Sequence, residues 1–204
     1  MKQFFATLLL IIGASMVSAQ TADAPATAQE KPECTLTVAQ LPGIAGLRLG
    51  MTIEQVLALF PGSSKEQEIV SAISDAPSRL GAVNITIKPE RYESKAKFAG
   101  ISNIFFAFLD GRLFRFIVGY NGVEWKNVDE FITKFSSENG LPAVEAWEAR
   151  VGMETQMKTL KCAGVDVTLF ASTGGAVNHA NITDTATEQT LKERRAKAQE
   201  KSTQ

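Results

Sequence analysis

The sequence predicts an α+β fold made of two tandem units, each with short helices packed on an antiparallel β-sheet. Three observations predict it: a capped amphipathic helix in residues 52–60, a β-hairpin signal in residues 101–120, and a second capped helix that begins at Asn127. A helix with one apolar stripe must bury that stripe, and the apolar hairpin strands offer a surface for it. Because a capped helix leads into a strand region twice, we expect a repeated unit.

The first helix has a start signal and a single apolar face. Thr52 can cap the helix, and the Gln55 side chain can accept a hydrogen bond from the Thr52 backbone N–H. The apolar residues that follow at helical spacing are Ile53, Val56, Leu57 and Phe60. The second helix repeats the pattern with Asn127 as the cap and Glu130 as its partner. Its apolar stripe consists of Val128, Phe131, Ile132 and Phe135.

The clearest strand signal is in residues 101–120, where two apolar runs flank Asp110 and Gly111. Asp-Gly favours a two-residue hairpin turn because both positions need positive φ. The expected cross-strand pairs are Phe108 with Leu113, Phe106 with Arg115, Ile104 with Ile117, Ala107 with Phe114, and Phe105 with Phe116. Both faces are mostly apolar, so we expect this hairpin in the middle of the sheet, or with helices on one face and a partner on the other.

Shorter patterns predict the remaining elements. Residues 65–73 carry helix formers with apolar residues at helical spacing, and residues 83–87 alternate like a half-buried strand. In the second half, residues 155–162 and 165–171 are expected to form another hairpin, and residues 180–183 a last strand.

The two ends of the chain differ in composition from its middle. The start combines a basic opening, an apolar run shorter than the roughly 20 residues of a membrane span, and small residues of the kind that signal peptidase recognises. This predicts a cleaved signal, a periplasmic or extracellular location and no transmembrane segment after cleavage; a retained anchor helix is the alternative. The predicted organisation is a signal peptide at 1–19, a flexible leader at 20–33, one α+β domain at 34–184 with repeats at about 46–120 and 121–184, and a solvated polar tail at 185–204.

The tail has good helix formers, but Leu191 is its one large apolar residue, so we expect a frayed, solvated helix. A basic tail could contact nucleic acid or anionic lipid. Here the acidic and basic residues interleave, and the whole chain has a net charge of −1. The sequence therefore predicts no nucleic-acid partner.

Cys34 and Cys162 are the two cysteines of the chain. In an exported protein such a pair is expected to form a structural disulfide. The alternative is a redox or nucleophilic cysteine, which would need a base beside it, and the chain offers one histidine, His179. We expect the disulfide.

The sequence contains no motif for a nucleophilic hydrolase, a phosphate loop or a metal site. Asp110 is explained by a turn, and Asp129 and Glu130 by a helix start. The sequence therefore predicts no catalytic residue, no metal and no cofactor. An enzyme based on carboxylates from distant parts of the chain is an alternative, since such residues can converge in the fold.

A family resemblance starts at Gly50-Met51-Thr52, followed by Gln55-Val56, at the head of a short helix that leads to an antiparallel sheet. This motif resembles the SmpA/OmlA (BamE-like) family of small bacterial envelope proteins, which have two helices against a three-stranded sheet. The tandem layout is similar to the β-lactamase-inhibitor-protein architecture. The resemblance implies an envelope protein, and it assigns no functional residue here. No cysteine lies at the predicted cleavage point, so we expect no lipid attachment.

These observations favour a protein-binding or scaffold module of the cell envelope, with another envelope or extracellular protein as its partner. A secreted enzyme inhibitor is the alternative. The candidate interaction residues are Phe105, Phe114, Phe116, Tyr120, Trp125 and Trp147, together with Arg115. Each aromatic residue could instead belong to an ordinary core, and Arg115 could extend to a sheet edge instead of contacting a ligand.

Overall fold

A computed structural model of the chain describes residues 33–121, 125–172 and 177–202. The predicted signal peptide at 1–19 and the predicted leader up to residue 32 lie outside these described residues. Within them, the chain forms an antiparallel sheet of seven strands with a few helices, which confirms the predicted α+β class. None of the helices in these ranges combines the length and hydropathy that a membrane crossing requires.

The elements are numbered in chain order. The strands are β1 (Ala82–Ile87), β2 (Ile101–Leu109), β3 (Arg112–Tyr120), β4 (Glu148–Ala149), β5 (Met157–Cys162), β6 (Val165–Ala171) and β7 (Asn178–Asp184). The α-helices are α1 (Ile53–Leu57), α2 (Gln67–Ser74), α3 (Val128–Asn139) and α4 (Thr185–Ser202). Short 3-10 turns occupy Ser63–Lys65, Ala76–Arg79, Pro89–Arg91, Glu93–Phe98 and Val144–Ala146.

The strands lie in the order β1-β2-β3-β7-β6-β5-β4, and each neighbouring pair is antiparallel. β1 to β3 form one run of adjacent strands and β4 to β7 form another. The two runs meet where β3 pairs with β7. Both halves of the domain therefore share one continuous sheet.

The predicted helix caps are present at α1 and α3. The Thr52 hydroxyl accepts a hydrogen bond from the Gln55 N–H at 3.2 Å, and the Gln55 side chain accepts one from the Thr52 N–H at 2.8 Å. Asn127 accepts from the Glu130 N–H at 3.0 Å, while the Glu130 carboxylate accepts from the Lys126 N–H at 2.8 Å. These bonds satisfy backbone donors that a helix start leaves free.

Helices α1, α2 and α3 cover one side of the sheet, which we name the core face. Their apolar stripes join the inward residues of the strands in one buried cluster. Phe60, which closes the stripe of the first helix just after α1, is fully buried there and stacks on Phe98 with ring centroids 4.7 Å apart. Burial of these stripes is the dominant stabilising contribution to the fold.

The predicted register of the β2–β3 hairpin is correct next to the turn and wrong beyond it. Phe108 lies opposite Leu113, as expected, but Ala107 lies opposite Arg115. The remaining pairs are Phe106 with Phe116, Phe105 with Ile117, and Ile104 with Val118. The cause is a β-bulge at Phe114, an extra residue in β3 that shifts the pairs from Ala107–Arg115 to Asn103–Gly119 by one.

The tail differs from the expected frayed and solvated helix. It forms α4, in which Leu191 is only 5% exposed, and Arg194 donates a hydrogen bond to the Leu80 carbonyl at 3.0 Å. A single leucine among charged residues does not form an apolar stripe. The residues that Leu191 contacts lie on strands that are distant in sequence. The docking of α4 was therefore not predictable from helical periodicity alone. Residues 195–202 are exposed, as a solvated tail would be.

The predicted disulfide joins Cys34 to Cys162, whose Cα atoms are 4.5 Å apart. It ties the start of the described chain to the end of β5. Among the described residues no cysteine is free. In this oxidised form both cysteines are in the disulfide, so neither is available as a free nucleophilic thiol.

Candidate functional site

The side of the sheet opposite the core face is the candidate functional site, and we name it the open face. It carries the alternate side chains of the strands, because successive side chains of a strand point to opposite sides. Its first half, on β1 to β3, is crossed by α4. Its second half, on β3, β7, β6 and β5, has no helix over it within the described residues.

The first half of the open face has a small apolar cluster of its own beneath α4. Leu191 packs there against Ala82, Ala107, Leu109 and Phe114, with Phe105 at the margin of the cluster. The bulge in β3 helps to build this cluster. Because Phe114 has no partner residue in β2, it and Arg115 both lie on the open face instead of alternating.

The uncovered half consists of two rows of side chains that run across four strands. We name it the open strip. One row pairs Ile117 with Asn181, Asn181 with Thr168, and Thr168 with Thr159. The next row pairs Gly119 with His179, His179 with Phe170, and Phe170 with Met157. All of these residues are partly exposed, so the strip presents apolar and hydrogen-bonding groups side by side.

Side-chain contacts within the open strip hold its surface in place. The rings of Phe170 and His179 stack with centroids 5.0 Å apart and planes inclined by 22°. The hydroxyls of Thr159 and Thr168 are 2.9 Å apart and share a hydrogen bond. At the border with α4, the Arg115 guanidinium donates from Nε to the Asn181 side-chain oxygen at 2.9 Å. The strip is therefore an ordered surface.

A depression of about 430 Å³ lies along the strip. Its lining includes Arg115, Ile117, His179 and Asn181 on the central strands and Met157 and Lys161 on β5. A second depression, of about 490 Å³, lies at the end of β3 and the start of β7 and shares Ile117 and His179 with the first. The two concavities meet at these shared residues, which makes the centre of the strip accessible from both sides.

Two pairs of opposite charges border the strip. Lys161 lies 2.7 Å from Glu148, and Arg115 lies 3.9 Å from Glu188 on α4. Burial lowers the pKa of His179, and the nearby Arg115 lowers it further. Burial also raises the pKa of Asp166, although Lys161 acts in the opposite direction. Because the charges are paired, the strip favours a partner of mixed polarity over a polyanion or polycation.

Three of the predicted interaction residues are wrong as surface anchors. Phe114 is 5% exposed beneath α4, Phe116 is 1% exposed in the core, and Trp147 is 4% exposed in the same core. Trp147 donates its indole N–H to the Pro142 carbonyl at 3.1 Å. Phe114 and Phe116 are structural because the sheet is covered at their positions, and Trp147, just before β4, is buried in the core cluster.

The other four predicted residues are partly exposed but do not form one site. Phe105 and Arg115 lie on the open face, at the margins of α4. Tyr120 and Trp125 instead pack against Phe131 of α3, with ring centroids 5.5 Å and 5.2 Å away. Burial raises the pKa of Tyr120 strongly. Phe105 and Arg115 therefore border the open strip, and Tyr120 also lines the second depression.

Sequence reasoning missed the residues that form the centre of the strip. The last strand was expected over residues 180–183, but β7 begins at Asn178 and so includes His179. Phe170, Thr168 and Asn181 alternate with apolar core residues in β6 and β7. That alternation was visible in the sequence, but it does not tell which face a helix will cover.

Among the described residues, no group of three or more histidine, cysteine, aspartate and glutamate side chains could hold a metal ion. No family model, curated protein or solved structure matches this chain.

Proposed function

We propose that this chain is an exported protein-binding module of the cell envelope and that its open strip contacts the partner. The observation that carries this proposal is the uneven cover of the sheet. Helices, loops and short 3-10 turns cover the core face, and α4 covers the first half of the open face. The open strip, which includes Ile117, His179, Phe170 and Met157, stays accessible. A concave surface with aromatic and methionine side chains among hydroxyl and amide groups is typical of protein interfaces.

The envelope location is part of the same proposal. A disulfide between Cys34 and Cys162 suits an oxidising compartment, because such bonds are rare where thiols are kept reduced. The predicted signal at residues 1–19 supports the same location. The resemblance of Gly50-Met51-Thr52 and Gln55-Val56 to BamE-like proteins supports an envelope role without assigning a partner.

We also propose that the two halves are copies of one unit. The caps at Thr52 and Asn127 are equivalent, and each begins a helix that packs on the core face. In the sheet, β1-β2-β3 corresponds to β5-β6-β7, and the two copies meet antiparallel at β3 and β7. This order has an approximate two-fold relation between the halves. The open strip lies next to the contact between the two halves, on β3 and on the strands of the second half.

The secreted-inhibitor alternative expects a sheet face lined by Tyr, Trp and Phe. On the open strip, the aromatic rings are those of Phe170 and His179, while Tyr120 and Trp125 pack on α3. The strip therefore supports protein recognition in general. A captured partner that is an enzyme, and that loses activity when bound, would identify the recognition as inhibition.

The test is capture of a partner from native envelope extract with the purified oxidised chain and two matched variants. Phe170→Asp places a charge in the centre of the strip, whereas Val151→Asp changes a residue that is 93% exposed outside it. We expect one stoichiometric protein to be captured by the wild type and by Val151→Asp, and to be lost with Phe170→Asp. Equal capture by all three chains would contradict the proposal. Circular dichroism of each variant checks that it is folded.

A further inference from the structure

The two edges of the sheet are protected to different degrees. β4 forms one edge and is only two residues long, with both Glu148 and Ala149 exposed and Glu148 paired with Lys161. β1 forms the other edge, with six residues that include no charge and no proline. Short strands, charges and prolines are the usual protection against pairing with another chain. β4 has two of these protections, and β1 has none.

The register shows which groups β1 directs outward. The Asp110 N–H donates to the Gly81 carbonyl at 3.0 Å, so these two residues form a hydrogen-bonded pair. In an antiparallel ladder such pairs alternate along the strand. Val83, Ile85 and Ile87 therefore bond to β2, while Ala82, Asn84 and Thr86 direct their N–H and C=O groups away from it.

The outward groups of two residues are available for pairing. Asn84 and Thr86 are exposed, and in the described part of the chain no hydrogen bond reaches their backbone groups. Ala82 differs from them, since it is buried beneath α4 with Leu191. The accessible edge is thus a short segment centred on Ile85.

We propose that this edge pairs antiparallel with the same edge of a second copy of the chain, which extends the sheet across a two-fold axis at Ile85. In that register Asn84 of each copy lies opposite Thr86 of the other. The pairing forms four backbone hydrogen bonds and uses only the exposed residues of β1. No charged residue of β1 faces its counterpart, and an amide lies opposite a hydroxyl, so the edge is complementary to itself.

We assign a second copy to this edge because a two-fold axis at Ile85 pairs every accessible backbone group with an accessible group of the other copy. An axis at Asn84 would require Ala82, which α4 covers. An axis at Thr86 would require Lys88, which lies beyond the end of β1. The length of the free segment therefore selects one symmetric arrangement.

Sedimentation velocity of the purified oxidised chain over a range of concentrations tests the pairing. The wild type is expected to form dimers reversibly. In Asn84→Lys/Thr86→Lys, two pairs of lysines lie opposite each other across the dimer. We therefore expect the dimer dissociation constant to rise at least about tenfold. Ala149→Lys, on the exposed opposite edge, is the matched control and is expected to dimerise like the wild type.

A charge exchange separates edge pairing from loss of folding. Asn84→Glu/Thr86→Glu alone is expected to be monomeric, and its mixture with Asn84→Lys/Thr86→Lys to form mixed dimers. Three results would overturn the proposal: a wild type that stays monomeric, a dimer that persists in the lysine variant, or a mixture that fails to associate. Binding of an extended segment of another protein to a monomeric wild type at this edge would equally rule out the second copy.

Discussion

Arg194 donates two hydrogen bonds to the carboxylate of Asp110, from Nη1 to Oδ1 at 2.9 Å and from Nη2 to Oδ2 at 2.6 Å. The pair joins α4 to the turn between β2 and β3. Together with burial of Leu191, it determines which half of the open face is covered. The division of that face into a covered half and an open strip therefore depends on a few contacts of one helix.

The Asp110 contact makes the docking of α4 sensitive to acid. The hydrogen bonds from Arg194 lower the pKa of Asp110, against a smaller opposite effect of burial. A carboxyl group with a lowered folded pKa stabilises above its unfolded pKa of about 4, and that contribution is lost as the pH falls through the folded value. We expect amide protection of α4 in hydrogen exchange to decrease below about pH 4.

Asp110→Asn is expected to weaken the protection of α4 at neutral pH and to remove this acid dependence. Asp75→Asn is the matched control, because the Asp75 carboxylate pairs with Arg79 of its own segment at 3.8 Å and not with a residue of α4. An unchanged pH profile in Asp110→Asn would contradict the assignment.

Leu191→Ala is expected to lower the free energy of unfolding by about 2 kcal/mol, the low end for a buried leucine, because its cluster is small. The measurement is urea denaturation, with Gln189→Ala, an exposed position of the same helix, as the control. The variant is also expected to expose Phe105 and Phe114 to solvent, which would increase binding of an apolar dye. A stability equal to that of the control would show that α4 is not held by this leucine.

Reduction of the disulfide is expected to destabilise the domain substantially. The bond joins residues 128 positions apart, and the chain-entropy model gives roughly 4–5 kcal/mol for closing such a loop. Urea denaturation with and without reductant measures the difference. Thiol titration of the denatured protein should find no reactive cysteine before reduction, so two reactive thiols at that stage would contradict the pairing.

Two phenylalanines on opposite faces of the sheet are expected to differ in their contribution to the free energy of unfolding. Phe116 is 1% exposed among core residues, so Phe116→Ala is expected to cost about 3–5 kcal/mol of unfolding free energy. Phe170 is half-buried on the open strip, so Phe170→Ala should cost less than about 2 kcal/mol. Calorimetry of both variants checks the ranking, and a larger loss at Phe170 would reverse the assignment of the faces.

Local sequence signals predicted the features that depend on neighbouring residues. The caps at Thr52 and Asn127, the Asp-Gly turn and the class of fold all follow from short-range chemistry. The bulge at Phe114 could not be predicted, because an extra residue in one strand leaves the apolar pattern of the hairpin unchanged. Its effect was to move Arg115 opposite Ala107 and onto the open face.

The open strip could not be identified from the sequence, because it is defined by contacts between residues that are far apart in the chain. Leu191 finds its apolar partners on β1, β2 and β3, far away in the sequence. Without knowledge of that docking, Phe114 and Phe116 were equally good candidates for exposure. His179 and Phe170 became recognisable only when β6 and β7 were paired in register, which brings their rings together.

Site-specific photo-crosslinking in intact cells tests whether the open strip contacts another protein. A photoreactive amino acid is placed at Thr168, in the centre of the strip, or at Val151, which is 93% exposed outside it. We expect a crosslink to one protein species from position 168 and none from position 151. No crosslink from position 168, or the same products from both positions, would contradict it.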